Sequence, residues 1–232
     1  MKTQISAEIV TDSINKKDRL ISVLIICPYS SIPTILEHSR DLSMIYNKSE
    51  YILFNSVLDQ VRYNPFIPIA WRKNHSDMQG NEYFDNHFSI TGNCNLDTNY
   101  GFWMDARDEA VRYAECLGNE GLTKQLCNRL LEPFMWTTML ITGSKEGWDN
   151  FFDLRCPAYE YKGEFFQSKK DCINSYTFKQ GFEDDKNYLT SLSDLEWLQI
   201  NKGQAEIHIM DLAEKIYDAI QSSTFKRLKT KR

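Results

Sequence analysis

Residues 19–29 read RLISVLIICPY, and this run decides the fold. It is rich in apolar and β-branched residues, and Pro28 ends it, so the pattern predicts a buried strand. Upstream, QISAEIV at 4–10 alternates apolar and polar residues, which predicts a second strand. Downstream, FMWTTMLITG at 134–143 predicts a third strand that turns at Gly143. The fold is therefore expected to be organised around a sheet.

Helical spacing surrounds these strands. It predicts a helix in SIPTILEHSRDLSMI (31–45), and further helices at 54–63, 99–121, 123–133, 144–156 and 204–223. Thr123 and Ser144 are the predicted N-caps. Residues 66–96 are interpreted as a long connection of the kind that is usually functional, and 157–200 as a polar segment. The sequence thus predicts one α/β (α+β) domain over 1–232, a mixed sheet with long helices, ending in a basic tail at 223–232.

Composition narrows the class of protein. The chain has 232 residues, of which 42% are hydrophobic and 25% charged, as in an ordinary globular protein. A net charge of −5 gives no reason to expect a nucleic-acid partner. The six cysteines form no C-x-x-C pair, and the first residues lack a secretory apolar segment, which predicts a cytoplasmic protein without a membrane span.

Several common catalytic motifs are absent from the sequence. There is no G-x-G-x-x-G, no phosphate-binding G-x-x-x-x-G-K and no G-x-S-x-G. The four histidines are far apart and form no H-x-x-x-H, which argues against a zinc hydrolase or a Ser/His/Asp enzyme. No metal ligand is predicted.

Two arginines have unusual neighbours. Arg129 lies in NRLLEPFMW and Arg155 in FFDLRC, each among Leu and Phe, where an unpaired charge is costly to bury. One interpretation is a structural ion pair with Glu132 or Asp153. The other is an anion site for phosphate or pyrophosphate, because a guanidinium binds such groups through two hydrogen bonds.

A polar cluster follows the first buried strand. HSRDLSMIYNKSE, at 38–50, concentrates hydrogen-bonding and charged side chains where α/β proteins tend to place ligand sites. The stretch alone does not say whether it is a working site, one rebuilt for another ligand, or the remains of one.

Three blocks together resemble the flavin-dependent thymidylate synthases, especially their phage-type branch. The blocks are VRYNPFIPIAWRKNHSDMQGNEYF (61–84), TKQLCNRLLEPFMWTTMLITGSKEGWDNFFDLRC (123–156) and LEWLQINKGQAEIHIMDLAEKIYDA (195–219). The likeness runs in order from about residue 5 to residue 228. It implies an α/β subunit that forms a homotetramer with active sites between subunits. It also implies FAD as cofactor, dUMP as substrate and methylenetetrahydrofolate as co-substrate, with no enzyme nucleophile.

The resemblance also assigns residues by position. The family signature R-H-R-x-x-S-x-N-x-x-S-x-R falls on 38–50, where Arg40 and Ser43 match and five of the seven specified positions differ. Gln204 and Glu206 match the block A-Q-x-E-I-R, in which Gly203 replaces Ala and His208 replaces Arg. By this alignment the flavin is expected at Ser39, Arg40, Ser43 and Arg155, and dUMP at Lys48, Glu50, Arg129, Gln204 and His208. No catalytic residue is assigned.

Three hypotheses follow from the resemblance and its departures. The first is a synthase that methylates dUMP to dTMP with methylenetetrahydrofolate and reduced FAD. The second is a catalytically degenerate relative that keeps the fold for nucleotide binding, assembly or regulation, including assembly with an intact paralogue. The third is a related flavin or nucleotide modification that uses Lys48 as a new cation or acid.

Overall fold

The computed structural model describes residues 3–15, 18–37, 41–73, 82–84, 99–177, 183–224 and 226–227. Its main sheet has the strand order β3-β4-β2-β1-β7, with neighbours antiparallel except for β7, which runs parallel to β1. The strands are β1 (Ser6–Asn15), β2 (Asp18–Pro28), β3 (Leu42–Tyr46), β4 (Trp136–Ser144) and β7 (Lys226–Arg227). A hairpin of β5 (Tyr159–Tyr161) and β6 (Glu164–Phe166) is separate from this sheet.

The helices are numbered along the chain. They are α1 (Ile32–Glu37), α2 (Phe54–Tyr63), α3 (Asn99–Asn119), α4 (Lys124–Leu131), α5 (Lys145–Arg155), α6 (Lys169–Thr177), α7 (Glu183–Ser191), α8 (Asp194–Ile200) and α9 (Ile207–Gln221). Helices and strands are mixed along the chain and the main sheet is largely antiparallel, so the predicted α/β (α+β) class is confirmed. None of the helices in the described ranges is long and apolar enough to cross a membrane.

The 19–29 run forms the middle strand of the sheet, β2, but only one of its faces is covered. Ile21, Val23 and Ile25 are fully buried beneath α5 and α9, whereas Leu20 and Leu24 on the other face are exposed. The prediction of a strand is confirmed, and the prediction that it is buried holds for one of its two faces. Antiparallel sheets commonly leave one face open in this way.

Two smaller cores lie beside the main one. The first is formed where α2, α3 and α4 pack together around Val61 and Leu131. The second lies within 159–200, where Tyr159, Cys172 and Trp197 are buried together. The segment predicted as merely polar therefore holds the β5–β6 hairpin and three helices with a core of their own.

The helix predicted at 31–45 is half wrong. Helix α1 ends at Glu37, and residues 42–46 form the edge strand β3 instead, with Ser43 opposite Thr142 of β4. Pairing with β4 outweighs the local helical spacing, as tertiary context often does. Of the predicted connection at 66–96, only 66–73 and 82–84 are described, and they meet in an isolated bridge between Arg72 and Tyr83.

Candidate functional site

The cluster at 38–50 divides into three parts. His38, Ser39 and Arg40 lie outside the described residues. Ser43 follows on β3, with its side chain exposed. A single turn of 3-10 helix (Ser49–Tyr51) closes the stretch. Of the predicted flavin and nucleotide residues of this cluster, those that the structure describes therefore lie on the edge strand (Ser43) and at the turn beyond it (Lys48 and Glu50).

Helix α5 lies near the described residues on either side of 38–40. At its C-terminal end, Arg155 lies within electrostatic range of Glu37, the residue just before 38–40. Near its N-terminal end, a Cβ added at Gly147 would lie 3.0 Å from the carbonyl oxygen of Asp41, the residue just after. The position of α5 is fixed by Ser144, which accepts a 3.1 Å hydrogen bond from the Gly147 N–H, as its predicted N-cap role requires.

Arg155 has an unsatisfied donor. Its side chain is half-buried, and its Nε has no hydrogen-bond acceptor among the described residues. Burial lowers the pKa of Arg155, and the negative charge of Glu37 only partly opposes this. The predicted ion pair with Asp153 is not formed, because Asp153 accepts a 3.3 Å hydrogen bond from Gln167. A desolvated guanidinium with a free N–H is suited to binding an anion.

A second junction joins residues 48–52 to α4. The buried Asn128 donates from Nδ2 to the backbone oxygens of Ser49 (2.7 Å) and Ile52 (3.1 Å). The Ser49 N–H donates to the Tyr29 hydroxyl at 3.0 Å, and the Ser49 hydroxyl donates to Glu132. These contacts hold the turn that carries the predicted dUMP residues against α4.

The sequence reasoning missed Asn128 and Ser49. A signal was available, because Asn128 shares the apolar face of α4 with Cys127 and Leu131, where an amide needs a buried acceptor. The same helical period turns Arg129 outward, and it is exposed, so the prediction that it is buried was wrong. Lys48 is exposed at the same junction, and of Glu50 only the backbone is described.

The start of α9 forms a separate group. Glu206 is the N-cap, and its carboxylate accepts from the backbone N–H groups of His208 (3.0 Å) and Ile209 (3.2 Å). Burial alone would raise the pKa of Glu206, but the bonds from the His208 side chain and from these backbone groups outweigh it and lower that pKa. Gln204 is exposed and donates to the Lys202 carbonyl at 3.1 Å.

Both ring nitrogens of His208 are engaged inside the chain. Nδ1 lies 2.5 Å from Glu206 Oε1, and Nε2 accepts from the Ile69 N–H at 3.1 Å. Because an accepting Nε2 carries no proton, the geometry assigns the neutral ring with its proton on Nδ1, donated to Glu206. Phe66 packs edge-on against the ring at 4.9 Å. For His208 to contact a nucleotide as predicted, it would have to give up one of these partners.

Gly203 replaces the alanine of the family block, and this replacement has a steric reason. A Cβ built there would lie 2.7 Å from Met210 Sδ and 3.2 Å from Pro157 Cα. The alanine of the family block would therefore need Met210, or the backbone near Pro157, to shift. Glycine is what lets the chain approach this closely before α9 begins.

Comparison with known proteins gives little beyond this geometry. No family model and no curated protein matches the chain. Two solved structures of the UMP/dUMP methylase PolB from Streptomyces cacaoi are similar, each with a TM-score of 0.49. The structure with 5-Br UMP is 13% identical in sequence, and the match covers 70% of this chain and 83% of the PolB chain. The structure with 5-Br dUMP is 11% identical, and the match covers 67% of this chain and 80% of the PolB chain. Likeness at this level establishes neither a family nor an activity.

Proposed function

We propose that the chain is a flavin-dependent thymidylate synthase homologue that methylates dUMP to dTMP with methylenetetrahydrofolate and reduced FAD. The proposal starts from the sequence resemblance, which spans almost the whole chain. The structural observation that carries it is Arg155, because its half-buried guanidinium keeps a donor free beside the segment expected to bind the flavin.

The charge of Arg155 suits FAD, and its guanidinium would bind an anionic group of the cofactor. Ser43 lies on the edge strand that follows 38–40, opposite Thr142 on the open face of the sheet, and its hydroxyl would contact the cofactor at the sheet edge. Ser39 and Arg40, which lie outside the described residues, are proposed to complete the site. When bound, reduced flavin would supply the hydride for the methylation.

The 48–52 turn and α4 would bind the nucleotide. Lys48 and Arg129 are exposed cationic side chains at a junction that Asn128 makes rigid from beneath. Two cations on a fixed backbone can hold a phosphate without moving that backbone, although ordering their exposed side chains costs conformational entropy. Glu50, two residues after Lys48, would bring a negative charge to the same turn and weaken phosphate binding, which the two cations would have to offset.

Gln204 and His208 lie on a different part of the subunit, at the start of α9. We propose that a homotetramer brings them to the nucleotide of another subunit, as the resemblance implies. An intact paralogue could complete the site in the same way.

One observation favours the second hypothesis, a degenerate relative. His208 stands where the family has its nucleotide-binding arginine, and its ring is engaged by Glu206 and Ile69. A site that lacks this contact and most of the signature would bind nucleotide for assembly or regulation without turnover.

A turnover assay distinguishes an active synthase from a degenerate relative. Purified protein is incubated with FAD, dUMP, methylenetetrahydrofolate and a reductant, and dTMP is measured by chromatography against Arg155→Met. The proposal expects dTMP from the unaltered protein and a strong loss in the variant. Flavin binding without dTMP would leave the degenerate relative as the function.

A further inference from the structure

A large cleft lies beside the start of α9, and Ile69, Tyr159 and Met210 are among the residues that line it. It has a volume of about 940 Å³ and separates α8, α9 and the hairpin segment from the 3–5 and 62–69 segments and the start of α3. Of the predicted flavin and dUMP residues that the structure describes, none lines it. Its size is in the range of small-molecule sites.

Aromatic side chains line much of this cleft. Tyr63 and Tyr100 are on one side, Tyr159 is on the other, and Trp136 lies beneath. Trp136 is 8% exposed, and its Nε1 has no hydrogen-bond acceptor among the described residues. Buried donors are rarely left in this state, so the cleft region contains a polar group that the described part of the chain does not satisfy.

The charges around the cleft are paired, with one exception. Lys169 pairs with Asp194 at 3.2 Å, Lys215 with Asp211 at 2.5 Å, and Arg107 with Asp108 at 2.7 Å. Arg62 pairs with Glu115. Glu214 has no ion-pair partner within the described ranges, although it is only 7% exposed.

The surroundings of Glu214 define what it can accept. Its Oε2 accepts from the Tyr159 hydroxyl at 2.8 Å, and its Oε1 from the Lys169 N–H at 2.7 Å. Both donors are neutral, and each carboxylate oxygen has a second lone pair for another donor. Burial raises the pKa of Glu214, and the hydrogen bonds from Lys169 and Tyr159 and the positive charge of Lys169 only partly oppose this.

We propose that this cleft binds a flat aromatic ligand carrying an amidinium-type N–C–N edge, with the two N–H donors on Glu214. The aromatic lining suits a planar ring, and the unpaired carboxylate suits a cation with two parallel donors. The ligand is either an aromatic amidine or a protonated amino-heterocycle. This site goes beyond the flavin and nucleotide function and does not rest on it.

The same residues also have a purely structural role, which does not need a ligand. Tyr159 is on β5 and Lys169 begins α6, so Glu214 ties both to α9 whether or not a ligand binds. The two roles differ in how variants affect a ligand. Loss of the carboxylate removes the proposed site, whereas Tyr159→Phe removes one internal donor and leaves the carboxylate freer for a ligand.

The test is calorimetric titration of the purified chain, without flavin, with benzamidine and with 2-aminopyridine. Benzamide serves as the matched neutral ligand. We expect at least one cationic probe to bind saturably. Benzamide should bind at least about tenfold more weakly than that probe, because hydrogen bonds to charged groups are worth more than bonds between neutral groups. Binding of 2-aminopyridine alone identifies the heterocycle, and binding of benzamidine alone identifies the amidine.

Variants then locate the site. Glu214→Gln is expected to lower the affinity for the probe about tenfold or more. Tyr159→Phe should leave this affinity unchanged or raise it. Asp211→Asn, which alters a paired carboxylate of the same cleft, should change the affinity little. Absence of binding by the unaltered protein overturns the proposal, and so does equal binding by Glu214→Gln. Because no flavin or dUMP is present, neither result depends on the proposed synthase activity.

Discussion

Replacing Arg155 by methionine should weaken flavin binding without weakening the fold. Arginine at this position is half-buried, and its Nε has no acceptor in the part of the chain that the structure describes; an unsatisfied buried donor costs about 1–3 kcal/mol. The side chain is only half-buried and Glu37 attracts it, so water and this charge reduce the penalty to the lower end of that range. Methionine fills similar space without the donor.

The expected free energy of unfolding of Arg155→Met is therefore equal to that of the unaltered protein or higher by up to about 1 kcal/mol. In a chain of this length that corresponds to a rise in Tm of no more than about 2–4 °C. FAD affinity should fall by about ten- to a hundredfold, because hydrogen bonds to a charged group are worth about 1.5–3 kcal/mol.

The assay combines urea denaturation with a fluorescence titration of FAD on the same preparations. Arg112→Met is the control, because Arg112 is exposed and pairs with Glu109 on α3, away from the flavin residues, and it should change neither quantity. A clear loss of stability in Arg155→Met, with FAD affinity unchanged, would refute the reasoning and make Arg155 a structural residue.

Three further changes test the fold and the start of α9. Asp12→Asn breaks the ion pair in which Arg19 donates at 2.9 and 2.6 Å, and should lower the free energy of unfolding by about 2 kcal/mol at pH 7. The bonds from Arg19 hold the pKa of Asp12 below its ordinary value, so this stabilisation is present above about pH 4 and is lost as the pH falls, and urea melts of both proteins should converge at acid pH. Gly203→Ala should cost about 1–3 kcal/mol in the same melts, because its Cβ would meet Met210; an unchanged midpoint would contradict the close approach. Glu206→Ala should cost about 1 kcal/mol through the lost cap, visible as faster amide exchange in the first turn of α9, whereas uniform exchange along α9 would argue against capping.

Sequence patterns predicted best where local signals agree with tertiary packing. Helix α2 has the predicted bounds, because its apolar period and the Asn64-Pro65 turn both end it at Tyr63. The edge strand β3 was missed, because its pairing with β4 joins residues almost a hundred positions apart. Within 157–200 a local signal was overlooked, since Ser193 and Glu196 form a capping box at the start of α8.

The candidate site was predictable to a similar degree. The apolar neighbours of Arg155 correctly indicated a desolvated guanidinium, but the same reasoning failed for Arg129, which α4 turns outward. The engagement of His208 could not be predicted, because its partner Ile69 is 139 residues away. Glu214 lies seven residues after Ile207 and four after Met210 on α9, a burial signal that was overlooked, but its partners Tyr159 on β5 and Lys169 on α6 could not be predicted.

The visible spectrum of the purified protein tests the central claim most directly. It is recorded before and after saturation with FAD and removal of free cofactor, and then during titration with dUMP. The account predicts a retained flavin whose absorption bands shift as dUMP binds beside it. A colourless protein whose spectrum responds to neither FAD nor dUMP would contradict it, and would identify HSRDLSMIYNKSE as the remains of a site.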